Sequence, residues 1–525
     1  MSAVNSDSVR AGASGVTAGY VIEQSCLFND DDSAYLTIAP GGDGNLKTWT
    51  VSFWMKRANL GGNMILLSAG TSTVNKELIR IDSSTDKLSW ILDVSSAGKG
   101  TVTTDMVFRD PTAWYHIVIS KDAANAQVLI YVNGSAVTTT TSVAIADVDG
   151  YFNATETQGI GGRSYASGQY FDGYFADFIM IDSSELTPTS FGEVNSDGAW
   201  VPIDPSTLTF GTNGFHLDFA DSSALGNDVS GNNNDFTVVN LASSDQTTDS
   251  PTDSGTTIGN FCVMSPITRF GQSSSTAITV SNGNLVVTSA DTNNKSILGS
   301  IAIPASGKWY FEMTYDVATD CVVGLRKSAT WNTAGMSADS NMRGFRQDGT
   351  KVNGSGSAHG SAWSTTNVIQ VALDMDNGAL YFGINDTYQN SSDPESGASK
   401  TGAAFTDLVS TGFVWVPGWD VTGNSVQGSF NFGQLGFAHT PPSGFLALCT
   451  ANLPSPTIND PTEHFVAKAV THDGSSTDFT IGWSATTYDT LFMIKNRESV
   501  EIWYIVDGLR GYDKYTKIDT ASEVG

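Results

Sequence analysis

The 525 residues carry 26 Lys+Arg against 54 Asp+Glu, a formal charge of -28, and 40% of them are hydrophobic. That length exceeds what one hydrophobic core can organise and implies roughly three domains of ordinary size. The acidic balance, with no basic stripe to offset it, argues against nucleic acid as a partner, and no run approaches the about 20 apolar residues that a bilayer-spanning helix needs.

The chain opens on MSAVNSDSVRAGASGVTAGY, which has no basic stretch followed by an apolar one, so no conventional secretory signal is expected. Through about Gln24 it holds too few large apolar residues to fold alone and reads as an N-terminal arm that orders on a partner or in an oligomer. The four cysteines, Cys26, Cys262, Cys321 and Cys449, stand far apart with no C-x-x-C pair. They suggest reduced core residues made in a cytosol rather than a zinc site or disulfide framework.

From there alternating β-branched and aromatic runs recur with turn signals between them, and sustained helical periodicity is almost absent, which predicts an all-β protein of tandem antiparallel sandwiches. The first block spans residues 25–220 and contains TWTVSFWMKR, KLSWILDV, AWYHIVISKD, QVLIYVNG and YFDGYFADFIMID. In the first of these, Trp49, Val51 and Phe53 share one face and Thr50, Ser52 and Trp54 the other, so one face is apolar and the other mixed. Residues 221–260 are rich in Gly, Asn, Ser, Thr and Asp and read as a polar linker, with a boundary near Pro251. A second β block covers 261–453, with GKWYFEMTYD, VIQVALDMDNGALYFGIN, GFVWVPGWD and GSFNFGQLGF as strands. Its Trp309 and Trp415 sit inside strand patterns and belong to the core. A small β-rich module, 457–525, follows.

Carboxylates two apart on a strand, as Asp374 and Asp376 are, can face one way like a glycosidase pair. However, Asn377-Gly378 follows directly between two apolar runs, which predicts a type I′ hairpin with Asp376 serving the turn, and no E-x-D-x-x-E occurs. The six histidines, His116, His216, His359, His439, His464 and His472, show no metal-binding spacing. A Gly-x-Ser-x-Gly near Ser355 lies in a polar loop without the strand-to-helix context of a nucleophile elbow. No catalytic residue is therefore expected. The cluster Asp30, Asp31 and Asp32, joined by Asp177, is a candidate calcium site, because hard cations take carboxylate oxygens from flexible loops. Turn capping is the alternative use of those aspartates. Sugar binding needs exposed aromatic faces and fixed polar groups, for which Trp331, Arg343, Phe345, Arg346, Trp363, Trp419 and Asp420 are candidates in inter-strand loops, with core packing as the alternative for each aromatic.

AWYHIVIS, VLIYVNG and FDGYFADFIMID resemble the laminin-G-like, concanavalin A-like jelly roll. GKWYFEM, VIQVALDMDNGALYFGIN, FVWVPGWD and FNFGQLGF resemble the SPRY domain. The succession of the NSDSVRAGASG arm, FNDDDSAYL, GNDVSGNNNDFT and MIKNRESVEIWYIVDGLRG is similar to tailed-bacteriophage virion proteins labelled tail fibres, whose last module is longer. This resemblance implies a non-catalytic structural protein of the virion tail, an adhesin for a host-surface glycan or protein, joined to other tail proteins through its arm and a homo-oligomer, trimeric by analogy. A capsid or tail decoration protein and a glycan depolymerase are the alternatives.

Overall fold

The computed structural model describes residues 19–271, 278–290, 295–317, 320–327, 340–410, 412–421, 426–455, 490–494, 504–507 and 514–517. Among these, the regular structure is strands and short 3-10 turns, as the alternating sequence predicts. Two β-sandwiches lie in one compact unit, residues 1–195 and 199–455.

The first sandwich packs two eight-stranded sheets together. One, here called the junction sheet, is centred on Thr48–Arg57, hydrogen-bonded to Trp114–Asp122 on one side and Gly173–Asp182 on the other. The other, the outer sheet, runs from Thr139–Val143 through Ala97–Val107, Lys87–Val94, Asn75–Ile81, Met64–Ser72, Gln158–Ile160 and Tyr35–Ile38 to Thr237–Val239. Strand alternation turns Trp49, Val51, Phe53 and Met55 inward, where they meet Leu67, Ile79, Trp90 and Val102 of the outer sheet.

The opposite face of Thr48–Arg57, mixed in character, is buried too. Thr50 Oγ1 donates to the Ser184 carbonyl at 2.8 Å, Ser52 Oγ meets His116 Nε2 at 2.8 Å, and Trp54 joins Ile22, Leu27, Trp114 and Tyr174 in a second apolar cluster. Lys56, fully buried, donates to Asp249 Oδ2 and Asn260 Oδ1, each at 2.7 Å. A charge can be taken that deep only when it is paired and hydrogen-bonded.

These partners show that residues 221–260 are not a free linker. Thr237–Val239 extends the outer sheet and Gln246–Thr247 the junction sheet. Asp249 also accepts from Trp114 Nε1 at 3.0 Å, while Ser250 and Thr252 bind the Ile22 backbone and so pin the end of the N-terminal arm. Most of residues 221–245 is exposed or half-buried, whereas Asp249, Ser250 and Thr252 spend their polarity on buried hydrogen bonds. Further bonds cross between the sandwiches: Tyr174 Oη to the Gly283 carbonyl, Asn284 Nδ2 to the Ala58 carbonyl, each at 2.9 Å, and the Thr248 N–H to the Gln434 carbonyl at 3.1 Å.

The second sandwich pairs a seven-stranded sheet, with Cys321–Lys327 between Trp415–Val421 and Met342–Arg346, against an eight-stranded sheet centred on Lys308–Val317. Trp309 and Trp415 are in its core, as their strand patterns predict. All four cysteines are free thiols in buried positions. Of the C-terminal module, three short strands, Leu491–Ile494, Tyr504–Asp507 and Thr516–Lys517, form an antiparallel sheet. No helix among the described residues is long and apolar enough to cross a membrane.

Candidate functional site

The outer sheet of the first sandwich carries its exposed chemistry on the face away from the core. Since Leu36, Leu67, Ile79, Trp90 and Val102 point inward, alternation places Tyr35, Thr37, Ser68, Arg80, Ser89, Thr101 and Thr103 outward. Ladder pairing sets Arg80 opposite Ser89 and Ser89 opposite Thr103, and the Ser89 and Thr103 hydroxyls bond to each other at 2.9 Å.

Residues 161–170, GGRSYASGQY, lie across this face. Ser68 Oγ donates to the Gly162 carbonyl at 2.9 Å and accepts from the Ser164 N–H at 3.0 Å. The loop approaches so closely that a Cβ on Gly159 would stand 2.9 Å from the Gly162 carbonyl oxygen, which explains a glycine in the strand. Gly162 in turn lets Tyr35 and Tyr170 close around it: their rings sit 6.0 Å apart at an interplanar angle of 30°. Both are half-buried, so part of each ring faces solvent. Arg163 donates from Nε to Gln169 Oε1 at 3.1 Å. Burial pushes the Tyr165 hydroxyl up to about 12 against the opposing charges of Arg163 and Arg80, so it is a neutral donor at physiological pH. The two half-buried tyrosine rings and the Arg163 and Tyr165 donors of the loop thus lie on one shelf, while Ser89 and Thr103 stand four and five strands from Tyr35 in the same sheet; rings beside such donors suit the apolar face and hydroxyls of a sugar.

The residues expected to recognise ligand are placed otherwise. Trp331 lies outside the described residues. Arg343, Phe345 and Arg346 occupy the strand Met342–Arg346, and Trp419 and Asp420 the strand Trp415–Val421, so the expected loop placement is corrected for these five. Phe345 stacks on Phe382 at 5.2 Å, Trp363 meets Tyr315 edge-on at 4.8 Å, and Trp419 is fully buried. Arg343 holds Asp407 with Nε at 3.0 Å and Nη2 at 2.6 Å beneath the Trp415 ring, and Asp420 pairs with Arg326. Arg346, paired with Asp320, keeps part of its side chain in solvent. Strand alternation sends Phe345 and Trp419 inward, while Trp363 is buried from a loop and donates from Nε1 to the Arg346 carbonyl at 2.9 Å.

The calcium candidates are not gathered. Asp177 is buried in a bulge of Gly173–Asp182, where Oδ1 accepts from His216 Nε2 at 2.7 Å and Tyr20 Oη at 3.3 Å. Asp30, Asp31 and Asp32 form the turn after Ser25–Phe28, in which Asn29 Nδ2 donates to Asp32 Oδ2 at 2.8 Å and the Asp30 carbonyl accepts from the Ser33 N–H. Among the described residues no three His, Cys, Asp or Glu side chains surround a common point.

The Asp374 and Asp376 hairpin differs from a two-residue type I′ turn. Asp374 pairs with Ala379, leaving Met375–Gly378 as a four-residue connection in which Gly378 has φ of 73° and Asn377 has no positive φ. Asp374 dictates this by accepting from the Asn377 N–H at 3.0 Å and from Asn377 Nδ2 at 2.8 Å, while Asp376 Oδ1 accepts from the Gly307 N–H at 2.8 Å. Both carboxylates hold turns. His116 is equally committed: Nδ1 accepts from Trp200 Nε1 at 2.9 Å, Nε2 meets Ser52, and burial lowers its pKa to about 3.

Residues 30–190 match the family described as the concanavalin A-like lectin/glucanases superfamily, and residues 308–433 match the SPRY domain. The first sandwich is concanavalin A-like and the second a SPRY domain. Similar solved structures include the SPRY domain of human HERC1, at 16% identity over 32% of this chain and 96% of that one, with a TM-score of 0.26. Another is a heptameric SAP-like pentraxin from Limulus polyphemus, at 17% identity over 32% and 80% of the two chains, with a TM-score of 0.26. A third, a candidate carbohydrate-binding protein from Bacteroides ovatus, is 17% identical over 42% of this chain and 61% of that one, with a TM-score of 0.31. No curated protein matches the chain.

Proposed function

We propose that this chain is a non-catalytic adhesin that binds a host-surface glycan through the Tyr35–Tyr170 shelf, built as a tail fibre or tail-associated protein of a tailed bacteriophage. The half-exposed Tyr35–Tyr170 ring pair, with the Arg163 guanidinium on the same loop, carries the glycan reading. The lectin-like class of the first domain supports it. The carboxylates with the spacing of a hydrolytic pair hold turns, in keeping with binding without cleavage. The virion assignment rests on the order of sequence segments along the chain. In this reading the arm through about Gln24 joins other tail proteins, copies assemble as a fibre trimer, and weak sites sum through copy number.

The test is binding of the labelled chain to host cells in competition with phage adsorption. Saturable binding that blocks adsorption is expected. Even copy number over the particle with no cell binding would instead make the chain a decoration protein, and release of reducing ends from host polysaccharide would make it a depolymerase.

A further inference from the structure

A second recess lies where the sandwiches meet, apart from the tyrosine shelf. It encloses about 420 Å³ and is lined by Asn59 and Leu60, just past the end of Thr48–Arg57, and by Pro266, Ile267, Arg269 and Thr279 of the SPRY domain's side. The strand Met264–Gly271 is irregular between Met264 and Arg269, leaving the ladder over that interval. Ile267 is half exposed as a result, at 50%, an unusual position for an isoleucine so close to a core.

The recess carries an arginine with no ion-pair partner among the described residues. Arg57, Arg80, Arg109, Arg326, Arg343 and Arg346 each pair with an aspartate, and Arg163 on the tyrosine shelf bonds Gln169. Arg269 instead donates from Nη1 to the Ile278 carbonyl at 2.7 Å, and among the described residues no carboxylate pairs with it. An arginine at the wall of a cavity with no carboxylate partner among the described residues is a ready anion receptor. A guanidinium fork recognises a carboxylate bidentately. Leu60, Pro266 and Ile267 offer apolar surface to the C–H face of a ring, and Asn59 and Thr279 offer hydrogen bonds to hydroxyls. The volume falls in the range of small-ligand pockets, roughly 300–1,000 Å³.

We infer that this recess binds a carboxylate-bearing pyranose, a single uronic-acid unit of an acidic polysaccharide, with Arg269 on the carboxylate. The bonds from Tyr174 to Gly283 and from Asn284 to Ala58 hold the two walls in register. The site therefore exists only with both sandwiches present.

Calorimetric titration of the full chain with glucuronate, glucose and inorganic phosphate tests this. Glucuronate is expected to bind, glucose at least tenfold more weakly, and inorganic phosphate to compete only at higher concentration, because it shares the arginine but not the ring contacts. Arg269→Gln should weaken glucuronate at least tenfold. Thr279→Val, at an exposed position, should weaken it several-fold without lowering the melting temperature, which guards against a folding defect in the arginine variant. Absence of glucuronate binding, equal binding of glucose, phosphate binding as tightly as glucuronate, or unchanged affinity in either variant would overturn the inference.

Discussion

Both sandwiches bury most of their aromatic residues, and they differ in the ones that were candidates for a ligand. In the SPRY domain Phe345, Trp363 and Trp419 close into one core with Tyr315 and Phe382, whereas in the concanavalin A-like domain Tyr35 and Tyr170 stay half-buried on the outer sheet face. Both sets come from similar local text, aromatic residues beside Gly, Ser and Arg. What separates them is strand parity: Phe345 and Trp419 fall on inward positions of their strands, and Tyr35 falls on an outward one next to inward Leu36. An aromatic side chain becomes available to a ligand through its register, not through its neighbours in sequence.

The largest effect that would break this comparison is at Trp419. Trp419→Ala should destabilise the chain by about 3–5 kcal/mol, seen in denaturant unfolding, because it empties a fully buried site. A near-neutral result would mean that the indole is available for binding after all.

The next concerns the seam. Lys56→Met leaves Asp249 buried without its cation, and breaking such a pair costs about 3–5 kcal/mol at most. The loss should appear as separated unfolding of the two sandwiches, because Lys56 reaches Asp249, Asn260 and the Phe261 carbonyl at once. A single undiminished transition would show that the seam does not depend on this cluster.

A smaller effect lies at His216. Burial disfavours its charge, but the bond to Asp177 and the nearby Asp218 and Asp228 carboxylates outweigh that and hold its pKa above the ordinary histidine value. A pKa raised in the folded state stabilises fully below the unfolded value, about 6.5, and the gain is lost as pH rises through the folded value. Melting temperature should therefore fall on going from about pH 6 to above the raised pKa, and His216→Gln should flatten that part of the profile. Asp177 also holds Tyr20, so the same titration should loosen the base of the arm, read as faster amide exchange near Ile22.

Much of the architecture was legible in the alternation of TWTVSFWMKR, AWYHIVISKD and VIQVALDMDNGALYFGIN, which predicted strands at Thr48–Arg57, Trp114–Asp122 and Val368–Asp374. The buried stretch within the linker was not legible, because Asp249, Ser250 and Thr252 are polar yet buried and composition does not reveal a partner such as Lys56, distant in sequence. The hairpin was misread because the Asp374 side chain captures Asn377 and overrides the Asn-Gly preference. The tyrosine shelf was not foreseen, since Tyr35 and Tyr170 meet only after folding. The sole signal was the run GGRSYASGQY, with two tyrosines and an arginine among small residues that let a loop lie flat on a sheet.

The most direct test of the account is an array of host-surface glycans probed with the intact chain and with Tyr170→Ala. We predict saturable binding that falls at least tenfold in the variant, about 1.4 kcal/mol, with an unchanged melting temperature because the ring is half-exposed. Glycan binding retained at full strength in the variant, or absent from the intact chain, would contradict the shelf as the recognition surface.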